Sequence, residues 1–145
     1  MKRLAWLALI LLTAPLAGAT VKYVAPGGGG LAHGDDWANA YSNIQDAVNA
    51  CTGDGDIIYL QYGTYGVTGQ VTIANAPGLT LIGGMAGNTP EPGDPTNLPT
   101  ILTRAAGVYQ SRILAGNNAI VTIERVTIAN GFRQYLADGG AMHFQ

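Results

Sequence analysis

The feature that most constrains the fold is a series of short, strand-like segments that begins after Asp56. Runs of three or four β-branched and other apolar residues alternate there with Gly, Asn or Pro. The pentapeptide Val-Thr-Ile-Ala-Asn occurs at residues 71–75 and again at 126–130, and Val-Thr-Ile occurs once more at 121–123. Such repetition is typical of solenoid proteins, in which each repeat packs on its neighbours. The sequence therefore predicts an all-β repeat architecture, with a two-sheet β-sandwich as the structural alternative.

Nine segments have the composition of strands. They are residues 21–24, 57–60, 71–73, 79–82, 100–103, 112–115, 121–123, 126–128 and 141–144. The last eight segments can be grouped into coils of three strands each. The strands that begin at residues 57, 71 and 79 form the first coil, and those that begin at 100, 112 and 121 form the second. The strands that begin at 126 and 141 belong to a third coil. Three prolines within six residues (90, 92 and 95) predict a loop at 83–99 that projects from one face of the stack.

Charge and cysteine content exclude several classes of function. Only 11% of the 145 residues are charged and the formal net charge is −2, so the chain lacks the basic surface that binds nucleic acid. The single cysteine, Cys51, rules out a disulfide scaffold and a cysteine-rich zinc module. We therefore expect a turn-rich β protein with no nucleic-acid partner.

Residues 1–19 have the layout of a secretory signal peptide. Two basic residues precede an apolar run at 4–12, and the segment ends in the small-residue A-x-A pattern of a cleavage site. A membrane anchor is the alternative, but a span needs about 20 apolar residues and Pro15 interrupts this run. We expect cleavage between Ala19 and Thr20, and no membrane span after the leader is removed.

One helix is predicted after Ser42. Its apolar stripe consists of Tyr41, Ile44, Ala47, Val48 and Cys51. Ser42 and Gln45 have the spacing of a capping box, and Gly53 is placed to end the helix in a left-handed conformation. Because a helix this short is marginal alone, we expect its apolar stripe to cover a larger structure.

The first half of the chain resembles bacterial right-handed parallel β-helix proteins. The resemblance rests on Tyr-Val-Ala-Pro-Gly at 23–27, Trp-Ala-Asn-Ala-Tyr at 37–41, Ile-Gln-Asp-Ala at 44–47, Gly-Asp-Ile-Ile-Tyr-Leu at 55–60 and Gly-Thr-Tyr at 63–65. In that family a short helix caps the end of the β-helix. With the leader at 1–19 and the loop at 83–99, we therefore expect an N-terminal strand, loop and cap helix at 20–56 and coils at 57–145, as the resemblance implies.

The last part of the chain resembles the coils of polymorphic outer-membrane proteins and related pectate-lyase-like repeats. Val-Thr-Ile-Ala-Asn-Gly at 126–131 is followed by Gly-Gly-Ala-Met at 139–142, with Met142 where that family has Ile. The Phe-x-x-Asn motif that accompanies this pattern in the family is absent. The resemblance implies a secreted protein, either extracellular or on the outer-membrane surface of a bacterium.

Two functions stay open, because this fold carries adhesins, lyases and hydrolases alike. The first is a non-catalytic scaffold that binds polysaccharide or a host or cell-surface ligand. The second is the N-terminal part of a polysaccharide lyase or glycoside hydrolase whose active site lies beyond residue 145. A solenoid needs about three repeats and capped ends, whereas this chain stops inside a predicted strand. We therefore expect a longer parent protein.

Few residues carry recognisable chemistry, and we predict no catalytic residue and no bound cofactor. Asp54 and Asp56 flank Gly55 and are candidate ligands for Ca²⁺, which prefers oxygen donors; a Gly-Asp turn that leads into the first strand is the alternative. Tyr59 and Tyr62 are candidates for stacking on sugar rings, as exposed aromatic side chains combine an apolar face with a polar edge.

Overall fold

The computed structural model describes residues 18–88, 97–108, 112–131 and 142–144. Its strands are β1 (Val21–Val24), β2 (Asp54–Gln61), β3 (Gly63–Val67), β4 (Val71–Ala74), β5 (Gly78–Met85), β6 (Thr100–Arg104), β7 (Leu114–Asn117), β8 (Val121–Glu124), β9 (Val126–Ala129) and β10 (Met142–Phe144). A 3-10 helix (Trp37–Asn39) and the helix α1 (Ile44–Ala50) lie between β1 and β2. The prediction of an all-β fold with one short helix is confirmed.

The strands form three sheets, and every strand pair is parallel. Sheet 1 has the order β1-β2-β5-β8, sheet 2 the order β3-β6-β9 and sheet 3 the order β4-β7-β10. From β2 to β7, each strand therefore pairs with the strand three places further along the chain. Parallel neighbours need a crossover connection, which the two intervening strands provide here.

The predicted grouping of the strands is wrong because β3 was missed. Its sequence, Gly-Thr-Tyr-Gly-Val, has two glycines and is typical of a turn, but the chain pairs it along its whole length with β6. Without β3, the segment at 79 became the third strand of the first coil. In fact β5 pairs directly with β2, and Ile58 lies opposite Leu81.

The repeated pentapeptide does not mark equivalent places in the stack. Its first copy forms β4 in sheet 3 and its second forms β9 in sheet 2. Both copies end in an asparagine with positive φ, 54° at Asn75 and 59° at Asn130. Asparagine tolerates this left-handed conformation better than most residues. The shared sequence therefore specifies a short strand and the turn after it, whichever sheet the strand joins.

The predicted loop 83–99 starts too early, because β5 continues to Met85. The register of β5 against β2 shifts between Ile82 and Met85, which indicates a β-bulge. Gly84 sits in this bulge with φ of 76°, a conformation that favours glycine. Residues 89–96, with the three prolines, lie outside the described residues. Likewise, β2 begins at Asp54 and not at the predicted residue 57.

Side chains from all three sheets form one buried cluster. Its fully buried members include Ile58, Leu60 and Leu81 of sheet 1, Leu102 of sheet 2, and Ile73 and Leu114 of sheet 3. Burial decreases toward the last strands. Leu81 is fully buried, whereas Ile123, its partner on β8, is only half-buried.

Helix α1 packs its predicted apolar stripe on this cluster, but both predicted caps are wrong. The side chain of Asn43, and not that of Ser42, accepts the N–H of Gln45 at 2.9 Å. The helix ends at Cys51 in an extended conformation, and Gly53 is not left-handed. The Gln45 side chain instead binds β4, where it accepts the Thr72 N–H at 2.7 Å and donates to the Thr72 carbonyl at 2.9 Å.

The thiol of Cys51 lies buried on the stripe of α1. Burial and the negative charge of Asp56 raise its pKa to about 11. Since the thiolate is the nucleophile, we expect alkylation by iodoacetamide at pH 8 to be about 100-fold slower in the native protein than in urea. Mass spectrometry of timed samples measures both rates, and similar rates in the two states would contradict this placement.

Candidate functional site

Three aromatic side chains cluster on the outer face of sheet 1. In β2, Ile58 and Leu60 point into the buried cluster, so the alternation of a strand places Tyr59 on the opposite face. Tyr23 of β1 is in register with Tyr59, and their ring centroids are 5.6 Å apart. The ring of Trp37 meets that of Tyr23 edge to face at 4.7 Å. We call these three residues the aromatic cluster.

Main-chain hydrogen bonds hold the loop that carries Trp37 against β1. Tyr23 donates its N–H to the carbonyl of Gly34 and accepts the N–H of Tyr41, both at 2.9 Å. The Asp36 side chain accepts the N–H of Asn39 at 2.8 Å and thereby caps the 3-10 helix of Trp37. These contacts fix Trp37 relative to the two tyrosines.

An ion pair lies in the same loop. Lys22 Nζ donates to Asp35 and also to the carbonyl of His33 at 3.1 Å, and the His33 ring lies 3.1 Å from the Asp35 carboxylate. The hydrogen bond to Asp35 raises the pKa of Lys22, and the same bond lowers the pKa of Asp35. Both groups therefore stay charged at neutral pH and compensate each other.

The two predicted stacking residues do not lie together. Tyr59 belongs to the aromatic cluster, whereas Tyr62 is 44% exposed in the link between β2 and β3, and no ring contact between them is found in the described residues. Tyr65, three residues further, points inward and donates to the carbonyls of Val24 and Gln61 at 3.0 and 2.8 Å. Burial raises the pKa of Tyr65.

Tyr23 was missed as a site residue, and Trp37 was not among the predicted stacking residues. Strand side chains alternate with a period of two, so residues three apart, such as Tyr59 and Tyr62, do not share one face of a strand. The signal that could have found Tyr23 is its place in a Val-Lys-Tyr-Val strand, three residues before a break at Pro26. Its pairing with Tyr59 joins residues far apart in the sequence, and only the register of β1 on β2 reveals it.

The two candidate Ca²⁺ ligands have different surroundings. Asp54 is exposed, whereas Asp56 is 1% exposed and each of its oxygens accepts a main-chain N–H, from Thr20 at 2.6 Å and from Gly53 at 2.7 Å. Among the described residues, no three His, Cys, Asp or Glu side chains are grouped closely enough to hold a metal ion. The alternative interpretation, a turn that leads into β2, agrees with the bonds of Asp56.

No family model, curated protein or solved structure matches this chain. Within the described ranges, none of the helical segments has the length and apolar character needed to cross a bilayer. The function is therefore inferred from the chemistry of the residues themselves.

Proposed function

We propose that this chain is a secreted or cell-surface scaffold with a right-handed parallel β-helix fold, and that the aromatic cluster binds a neutral polysaccharide. The strand order supports the fold, because each strand from β2 to β7 pairs in parallel with the strand three places ahead. Crossovers between parallel strands of one sheet are right-handed in almost all proteins. The resemblance to bacterial β-helix proteins points the same way.

The observation that carries the binding proposal is the in-register pair of Tyr23 and Tyr59 with Trp37 beside it. Sugar rings present apolar C–H faces, which pack on aromatic rings, while their hydroxyls bond to the polar edges of Tyr and Trp. The indole Nε1 of Trp37 is buried and has no hydrogen-bond partner in the described residues, so the apolar ring face, and not this donor, is what Trp37 contributes to the surface. Rings held on paired strands lose little conformational entropy on binding.

Charge favours a neutral glycan over an acidic one. Lys22, the basic residue of β1, is already paired with Asp35. On the outer face of sheet 1, the row of Tyr59 continues through Ile82 to the exposed Glu124, which would repel a carboxylate. The neighbouring row contains the uncharged Thr80 and Thr122. Binding to a polyuronate would need uncompensated cations.

Replacing Tyr59 by alanine is expected to weaken glycan binding by about tenfold or more, because one of the three rings of the aromatic cluster is lost. The full chain is screened on an array of neutral and acidic polysaccharides, and calorimetry then measures Kd for the best ligand. Trp37→Ala provides a second variant of the same surface. Thr122→Ala is the matched control, since Thr122 lies on β8, two strands from Tyr59.

Equal Kd values for Tyr59→Ala and Thr122→Ala would contradict the proposed surface, as would a preference for acidic polysaccharides. The alternative function, the N-terminal part of a polysaccharide lyase or glycoside hydrolase, predicts chain cleavage. Incubation of the full-length gene product with polygalacturonate tests it through the release of unsaturated or reducing ends.

A further inference from the structure

A buried carboxylate lies where the N-terminal strand meets β2. Asp56 is 1% exposed, and the residue in register with it on β5 is the fully buried Leu79. Its oxygens accept the N–H groups of Thr20 and Gly53. Among the described residues, no lysine, arginine or histidine forms an ion pair with it. Two neutral donors only partly replace the water that a buried carboxylate loses.

The donor from Thr20 is the nitrogen that the predicted leader cleavage would set free. The Thr20 N–H lies 2.6 Å from Asp56 Oδ1, and the Thr20 carbonyl accepts the N–H of Ile57 at 2.9 Å, so the residue is held on both sides. Gly18 and Ala19, just before it, are exposed. The nitrogen that the A-x-A pattern predicts to be set free is therefore the one that lies against Asp56.

We propose that removal of the leader converts this hydrogen bond into an ion pair between the new N-terminus and the buried carboxylate of Asp56. A leader peptidase hydrolyses the Ala19–Thr20 peptide bond with one water molecule. Ala19 leaves as a carboxylate, and the Thr20 nitrogen becomes an ammonium group with three N–H donors. In the uncleaved chain the Thr20 nitrogen already lies 2.6 Å from Asp56 Oδ1, which is within ion-pair distance. The inference rests on the secretory leader of the proposed function, and it makes processing a step that stabilises the fold.

The test compares two forms of the chain after the leader, one that begins at Thr20 and one that begins at Ala19. The extra residue moves the ammonium away by about 3.8 Å. We expect the Thr20 form to melt at a temperature higher by roughly 5 °C or more. The same pair of forms carrying Asp56→Asn should show no difference. Equal melting temperatures without the substitution, or a difference that persists with Asp56→Asn, would overturn the proposal.

A second measurement does not depend on the folding of Asp56→Asn. After the leader, Lys22 is the only lysine, so reductive ¹³C-methylation labels two amines, the α-amine of Thr20 and Lys22 Nζ. We expect NMR titration to give the methylated α-amine of the Thr20 form a higher pKa than that of the equally labelled form that begins at Ala19, because the Asp56 carboxylate favours the charged form. Asp54→Asn, which changes an exposed carboxylate two residues away, should leave the pKa of the Thr20 form unchanged. Equal α-amine pKa values in the two forms would overturn the ion pair.

N-terminal sequencing of the exported protein separates this inference from the proposed function. A mature N-terminus at Thr20 supports the processing step, and any other N-terminus overturns it. Neither result depends on whether the protein binds a glycan. Conversely, the melting experiment compares two forms that are produced with defined N-termini, so its result is valid even if the chain is not exported.

Discussion

Replacing Leu81 by alanine is expected to lower the free energy of unfolding by about 3 to 5 kcal/mol. Leu81 is fully buried at the centre of sheet 1, between Ile58 of β2 and Ile123 of β8. Strands on both sides fix the backbone, so the cavity cannot collapse easily and the loss lies toward the upper end of the range for Leu→Ala. Urea denaturation followed by circular dichroism measures the change.

Ile123→Ala is the matched control for Leu81→Ala. The two side chains belong to the same interior row, but Ile123 is half-buried. We expect Ile123→Ala to lower the free energy of unfolding by about 1 to 2 kcal/mol, because the Ile123 side chain buries less apolar surface than Leu81 does. If both variants lowered the free energy of unfolding equally, Leu81 and Ile123 would not differ in burial as described.

Gly83→Ala is expected to have an effect of similar size through a clash with the backbone. A Cβ at this position would clash with the carbonyl oxygen of Arg125 and would lie 2.8 Å from Cβ of Thr100. Thr100 is itself fully buried, and its hydroxyl accepts the N–H of Gly84 at 2.8 Å, so it cannot move without breaking that bond. We expect a loss of about 3 kcal/mol or more, measured by the same urea denaturation.

The control for Gly83→Ala is Gly66→Ala on β3. A Cβ at Gly66 meets only Ala105, at 3.6 Å, and φ there is not positive. This substitution should change stability by less than about 1 kcal/mol, because the new methyl group fits and the unfolded chain loses some freedom. A large loss of stability in Gly66→Ala together with a small loss in Gly83→Ala would contradict the packing of β5 on β6 and β9.

The sequence predicted most strands but misplaced those that contain glycine. Apolar strands such as 71–73 and 121–123 lie within one residue of β4 and β8. β3 and the end of β5 were assigned to turns, because a glycine has the same sequence signal in a bulge or strand as in a loop. Here the glycines permit close approach between neighbouring strands. Such an approach depends on how the strands pack together, so it cannot be predicted from the local sequence.

The candidate site was predicted in part. Tyr59 was identified as a surface aromatic residue, but its partners lie 36 and 22 positions earlier in the chain, at Tyr23 and Trp37. Contacts of this kind depend on strand register, which a single sequence does not specify. Asp56 was noticed for its charge, although its bonds to the main chain could not be foreseen. The cleavage site at Ala19 stays a prediction.

The contact between Gln45 and β4 has a consequence for association between chains. An unpaired edge strand is a template for other strands and promotes aggregation. β4 is the outermost strand of sheet 3 on the side of α1, and the Gln45 amide occupies the N–H and C=O groups of Thr72 there. A side-chain amide has the same donor and acceptor pair as a peptide group. The Gln45 side chain of α1 thus occupies hydrogen-bonding groups that an added strand would use, and this opposes the pairing of another chain with the β4 edge.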